Sequence, residues 1–100
     1  MEIEIYKFAQ GDTAVSYDEG KKCYTLIKQC LSNKEKILLN FEGVNYVITA
    51  FLNPIIGDLI IENGKDVMEQ IEIENANNDI LKKIKIVKDG ALLKRSDLDE

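Results

Sequence analysis

The chain has 100 residues, 45% of them hydrophobic and 31% charged, a size and balance that describe one domain with one core and leave no room for a second. Thirteen basic against eighteen acidic residues give a formal charge of −5, which offers no electrostatic footprint to a phosphate backbone or an anionic membrane and argues against both as partners. No run approaches the roughly 20 apolar residues of a membrane span, and Met1-Glu2-Ile3-Glu4 lacks the basic start of a signal peptide, so a cytoplasmic location is expected.

Met1–Phe8 opens with Ile3 and Ile5 set against Glu2 and Glu4, the period of a half-buried strand. Gln10-Gly11-Asp12 supplies a turn, and Thr13–Tyr17 is expected as a second short strand, hairpin-paired with the first. Cys23, Leu26, Ile27, Cys30 and Leu31 then fall at i, i+3, i+4, i+7 and i+8 and define a first helix, with Asp18 as its cap, Glu19 in its first turn and Ser32-Asn33 at its end. On such a helix the two cysteines stand roughly 10 Å apart, beyond disulfide reach, and are expected to be reduced and buried. Lys21, Lys22, Lys28 and Gln29 form its solvated face.

Ile37–Leu39 is apolar on every residue and reads as a central strand, followed after Gly43 by a shorter one at Tyr46–Ile48. A second helix carries Leu52, Ile55, Ile56, Leu59 and Ile60 at helical spacing and stops at Asn63-Gly64. Its start has two readings. Pro54 suits the first helical position with Asn53 as cap, whereas Thr49 is the cap if the helix begins earlier and bends at the proline. Val67–Glu74 returns to strand alternation, and from Asp79 the positions Ile80, Leu81, Ile84 and Val87 define a third helix with Gly90 at its far end. Ala91–Arg95 extends it by at most a turn, leaving residues 1–95 as the domain and Ser96–Glu100 as a frayed acidic tail. Strands alternating with one-sided helices predict an α/β fold of two layers, with a mixed or largely parallel sheet.

Catalytic chemistry is sparse. With no histidine, the usual general base, the Ser-His and Cys-His pairs and the commonest metal ligand are all missing. Both cysteines lie on an apolar stripe with nothing to lower their pKa, and neither common phosphate-cradling glycine loop is present. Asp58 is the one carboxylate inside the Ile55–Ile60 run, and spacing directs it to the wet side without a named partner. No catalytic, cofactor or metal residue is assigned.

The segment NFEGVNYVITAFLNPIIGDLI resembles the core of STAS domains, the fold of the anti-sigma factor antagonists, and most closely the bacterial STAS-like family of unknown function (DUF4325). Leu38–Phe41, Glu42-Gly43-Val44, Tyr46-Val47-Ile48 and Thr49-Ala50-Phe51 follow that family's order of strand, turn, strand and loop, and the likeness runs from about Thr13 to Val87. The resemblance implies a STAS-like two-layer fold, with a mixed sheet of four or five strands and about three helices on one face. It also implies a non-enzymatic protein–protein interaction module that docks a regulatory partner, a GHKL-type ATPase or histidine kinase, through the loop and N-terminus of the second helix. Thr49, Ala50, Phe51, Leu52 and Asn53 are then the partner-binding residues. Ala50 stands where the antagonists carry a phosphorylated serine, so Thr49, the only hydroxyl in the loop, is either the candidate phosphoacceptor or a helix cap. A second reading is a sensor domain that binds a nucleotide or lipid near the same loop. A small enzyme is a third, against which the missing histidine and loops weigh. A homodimer through Met1–Tyr6 as an exposed edge is compatible with the first reading.

Overall fold

The structure, a computed structural model, describes the backbone of residues 1–99 and the side chains of residues 1–94. Three strands, β1 (Glu2–Glu4), β3 (Ile37–Asn40) and β5 (Ile71–Glu74), form a parallel sheet in the order β1-β3-β5, with Ile3 opposite Leu39 and Leu39 opposite Ile73. A separate parallel pair joins β2 (Thr13–Ala14) to β4 (Tyr46–Val47). The expected single mixed sheet of four or five strands is therefore corrected to a three-stranded and a two-stranded sheet, both parallel. Alternation sorts the larger sheet's residues by face. Ile3, Ile37, Leu39 and Ile71 are buried beneath helices, whereas Glu2, Glu4, Glu72 and Glu74 stand exposed on the other side.

The expected N-terminal hairpin does not form. After β1 the chain turns at once into a short helix, α1 (Ile5–Ala9), because Ile5, Phe8 and Ala9 also satisfy i, i+3, i+4 spacing; Gln10 then reverses the chain in the left-handed region at φ 59°. β2 consequently leaves β1 and meets β4 instead.

The long helix α2 (Tyr17–Ser32) follows its predicted stripe, with Cys23, Ile27 and Cys30 buried and both thiols free. Its cap is Ser16, not Asp18: the Ser16 hydroxyl accepts a hydrogen bond from the Glu19 backbone N–H at 3.2 Å, in the S-x-x-E spacing of a capping box. Gly20 lets α2 press directly on the next helical layer, since a Cβ there would stand 2.5 Å from the Phe51 carbonyl oxygen.

The second predicted helix runs from Thr49 to Asn63 as three consecutive pieces: α3 (Thr49–Leu52), a π-helical turn (Asn53–Asp58) and α4 (Leu59–Asn63). Neither expected cap is used. Ile48 occupies the cap position and no side chain closes the end. Pro54 lies inside the helix, where it lacks an N–H and would press on the carbonyl four residues back; widening to a π turn removes that conflict without ending the helix. Leu52, Ile55, Ile56, Leu59 and Ile60 are all fully buried.

A 3₁₀ segment (Lys65–Gln70) replaces the first half of the strand expected over Val67–Glu74. The last helix, α5 (Asn78–Asp99), is entered through Asn77, whose side-chain oxygen accepts from the Ile80 backbone N–H at 2.9 Å. It passes through Gly90, which corrects the expected stop there. The backbone stays helical into the expected acidic tail, while Glu100 and the side chains of residues 95–99 lie outside the described residues. Lys83 anchors α5 to β4: its ammonium donates to the Val47 carbonyl at 2.7 Å, pairs with Asp79 at 3.0 Å and lies over the Tyr46 ring. No helix among the described residues is long and apolar enough to cross a membrane.

Candidate functional site

The composite helix Thr49–Asn63 is buried on most of its circumference, so what it presents to solvent is a narrow strip. Of the five residues expected to bind a partner, Thr49 and Asn53 are exposed and Ala50 is half-buried. Phe51 and Leu52 are both 0% exposed and belong to the core, which removes them from the accessible surface. Phe51 is held there by α2, whose Gly20 sits against its carbonyl. Among the described residues the Thr49 hydroxyl makes no hydrogen bond within the chain, so it stands open to solvent as the first helical residue and does not act as a cap.

Thr49 and Asn53 border a groove of about 520 Å³ that runs between the composite helix and α5. Gly57, Val87 and Ala91 form a floor of small or apolar side chains, and the Val87 methyl would lie 3.4 Å from a Cβ on Gly57. One wall carries Thr49, Asn53, Asp58 and Ile61 with Tyr17 of α2; the other carries Ile86, Gly90 and Lys94 of α5. Two elements make the opening. The π turn brings Asn53 and Asp58 onto the wall, and the absent side chain of Gly90 leaves nothing within 4 Å of where its Cβ would be. Tyr17, Ile86 and Lys94 went unassigned in the sequence because they are remote from the loop; the available signal was a glycine inside each of two helical runs, at positions 57 and 90.

Nucleophilic chemistry finds little support at these positions. Burial pushes the Cys23 thiol up to about 12 and raises Cys30 as well, which keeps both protonated at neutral pH. Tyr24, also raised by burial and by its hydrogen bond to Glu62, is engaged in a lock between α2 and α4; the Lys28 ammonium lies 5.4 Å from its ring centre and 3.9 Å from the Glu62 carboxylate. Among the described residues no group of three or more His, Cys, Asp or Glu side chains is placed to hold a metal ion.

A parallel-sheet α/β domain whose helical layer carries one mixed polar and apolar groove is the class that fold and site define. The chain matches the family described as a STAS-like domain of unknown function (DUF4325) over residues 19–81, and it belongs to that family. The match runs from the first turn of α2 to the first turn of α5 and takes in the whole composite helix, but not β1, α1 or β2. Neither the curated proteins nor the solved structures contain a match to the chain.

Proposed function

We propose that this STAS-like domain is a non-enzymatic cytosolic interaction module that docks a regulatory protein through Thr49, Ala50 and Asn53 and the groove beside them. The observation that carries the reading is the exposure of Thr49 and Asn53 on the rim of a groove whose floor is small and apolar and whose walls also carry Tyr17, Asp58 and Lys94. Such a surface offers hydrogen-bonding groups around an apolar strip, the arrangement in which an inserted helix or loop gains both area and register. The resemblance to the anti-sigma factor antagonists supports a GHKL-type ATPase or histidine kinase as the partner class. Thr49 phosphorylation would place about −1.5 to −2 charge on the rim and change that docking directly.

The test is affinity purification from the native host with wild type, Thr49→Glu and Asn53→Arg chains. Phe51→Ala is unsuitable as a surface probe because Phe51 is core. A partner retained by wild type and released by both variants, with folding unchanged by circular dichroism, supports the proposal. A partner set indifferent to both sinks it. The groove's volume also supports the second reading, a nucleotide or lipid sensor, since small-ligand sites commonly fall between about 300 and 1,000 Å³. Thermal shifts across a nucleotide and lipid panel separate the two, a flat response favouring the interaction module.

A further inference from the structure

The larger sheet ends on β5, whose outer edge has no neighbour among the described residues, since β5 pairs with β3 on one side only. The ladder fixes which backbone groups point outward. The Phe41 N–H donates to the Glu74 carbonyl at 2.9 Å, so Glu74, and Glu72 two residues before it, turn their backbone groups toward β3, while Ile71 and Ile73 turn theirs away. The Ile71 N–H is already taken by the Met68 carbonyl. The Ile71 carbonyl and both backbone groups of Ile73 are left for a further strand. The side chains agree on both faces. On the helix side Ile73 is only half-buried, whereas Ile3, Ile37, Leu39 and Ile71 of the same face are at most 9% exposed. On the open side Glu72 and Glu74 take part in no ion pair or side-chain hydrogen bond among the described residues. Glu2 and Glu4 add two more carboxylates to that face, and Lys7, 2.7 Å from Glu4, is the one cation paired with any of the four among the described residues. The opposite edge is less open to addition: β1 has three residues, turns at once into α1, and its Glu4 already holds Lys7.

We infer that the β5 edge takes up an extended segment of another protein as an added strand, one whose residues alternate basic and apolar. An apolar residue opposite Ile73 completes the cover of its side chain, while the strand's backbone bonds to the free N–H and C=O of Ile73. The lysine or arginine on either side of that residue then stands opposite Glu72 and Glu74 on the open face. Charge selects this occupant. A second copy of the chain fits poorly, because each of its own edges carries glutamate at every second position, Glu2 and Glu4 in β1 or Glu72 and Glu74 in β5, and a continuous sheet would set carboxylate beside carboxylate. The edge shares no residue with the groove beside Thr49 and Asn53, so the inference goes beyond the docking proposed there and does not depend on it.

The test is an NMR titration of the full chain with a synthetic peptide of about six residues, the length of an ordinary strand, alternating lysine with valine. On binding, the Ile73 amide should shift and its hydrogen exchange should slow by about tenfold. A peptide of the same composition with lysines and valines in two blocks should bind about tenfold more weakly, as should one alternating glutamate with valine. Two further peptides are N-methylated, one at the valines and one at the lysines. One of the two lacks the N–H groups that face Ile73 and should bind about tenfold more weakly, and which one it is reports the direction of the added strand. Glu72→Lys and Glu74→Lys, both at exposed positions, should each weaken the lysine peptide about fivefold, and the two together should turn the preference to the glutamate peptide. Equal affinity for the block peptide would mean attraction of charge without a strand and would overturn the inference. So would an Ile73 amide unmoved at high micromolar peptide, indifference to both N-methylated peptides, or an Ile73 amide already protected by self-association of the chain before any peptide is added.

Discussion

Two glycines inside helices make opposite predictions for the same substitution. At Gly20 an alanine Cβ would lie 2.5 Å from the Phe51 carbonyl oxygen and 2.9 Å from Pro54 Cγ. To bring the oxygen out to ordinary contact, α2 and α3 must part by about 0.9 Å, and neither obstacle can rotate away, one being backbone and the other a ring in a buried proline. Alanine gains about 1 kcal/mol in helix propensity over glycine, while overpacking a filled contact costs about 1–3 kcal/mol. With rigid groups on the far side the upper half of that range applies, so Gly20→Ala should destabilise by about 1–2 kcal/mol net and lower Tm by roughly 4–15 °C for a domain of this size. Gly90 lies in a helix with nothing within 4 Å of its Cβ position, so there the propensity gain is unopposed and Gly90→Ala should stabilise by about 0.5–1 kcal/mol. Urea unfolding followed by far-UV circular dichroism measures both. A Gly20→Ala protein as stable as wild type would show that α2 does not approach the Phe51 carbonyl this closely, and a destabilised Gly90→Ala would contradict the open helix face.

Tyr24→Phe removes the hydroxyl that donates to Glu62 and should cost about 1–2 kcal/mol at neutral pH, read by the same denaturation. Cys23 titrates near 9 when unfolded and near 12 when folded, so the unfolded chain releases its proton first as pH rises; stability is complete below about pH 9 and should fall by about 1.4 kcal/mol per pH unit from there toward pH 12. Tyr24, shifted in the same direction, adds to the loss, and in Cys23→Ala the slope should diminish. A native-state thiol assay at pH 8 should find Cys23 and Cys30 unreactive until denaturant is added. Asn40→Ala should destabilise by about 1–3 kcal/mol, since it strips an acceptor from the Glu42 backbone N–H and from Asn75 and a donor from Glu2 at the end of the central strand.

Local periodicity recovered the elements whose burial it encodes directly. The α2 stripe, the apolar Ile37–Leu39 strand and the composite helix all appear where spacing places them, because each has one face so apolar that few other foldings can bury it. The failures lie where two periods overlap or where the partner is distant. Ile3 and Ile5 fit a strand and Ile5, Phe8 and Ala9 fit a helix, so the single residue Ile5 is claimed by both patterns, and the helix wins once Gln10 and Gly11 reverse the chain. The pairing of Thr13 with Tyr46 joins residues 33 positions apart, and no local pattern in either segment records it. At the candidate site, Thr49 and Asn53 of the stretch the resemblance implied lie on the rim of the groove, whereas Phe51 and Leu52 of the same stretch are turned inward by the helix. The opposite wall comes from α5, more than thirty positions later, and could be found only in three dimensions.

The π turn explains how a helix so extensively buried still presents a usable line of polar groups. From this helix the groove receives Thr49, then Asn53 one turn later, then both Gly57 and Asp58, and Ile61 a turn beyond. An unbroken α-helix would continue the line from Asn53 to Gly57 on the groove floor and would turn Asp58 by about 100° away from it. The π turn spans Asn53–Asp58, so the wider turn absorbs a residue there and Asp58 joins Asn53 on the groove wall. Pro54 sits at the start of that turn, where regular α geometry is least tolerable to it. The same residue that offered one of two helix starts in the sequence thus sets the register that places Asp58 on the wall across from α5. What looked like a start signal for a helix is better understood as the device that aligns one wall of the groove.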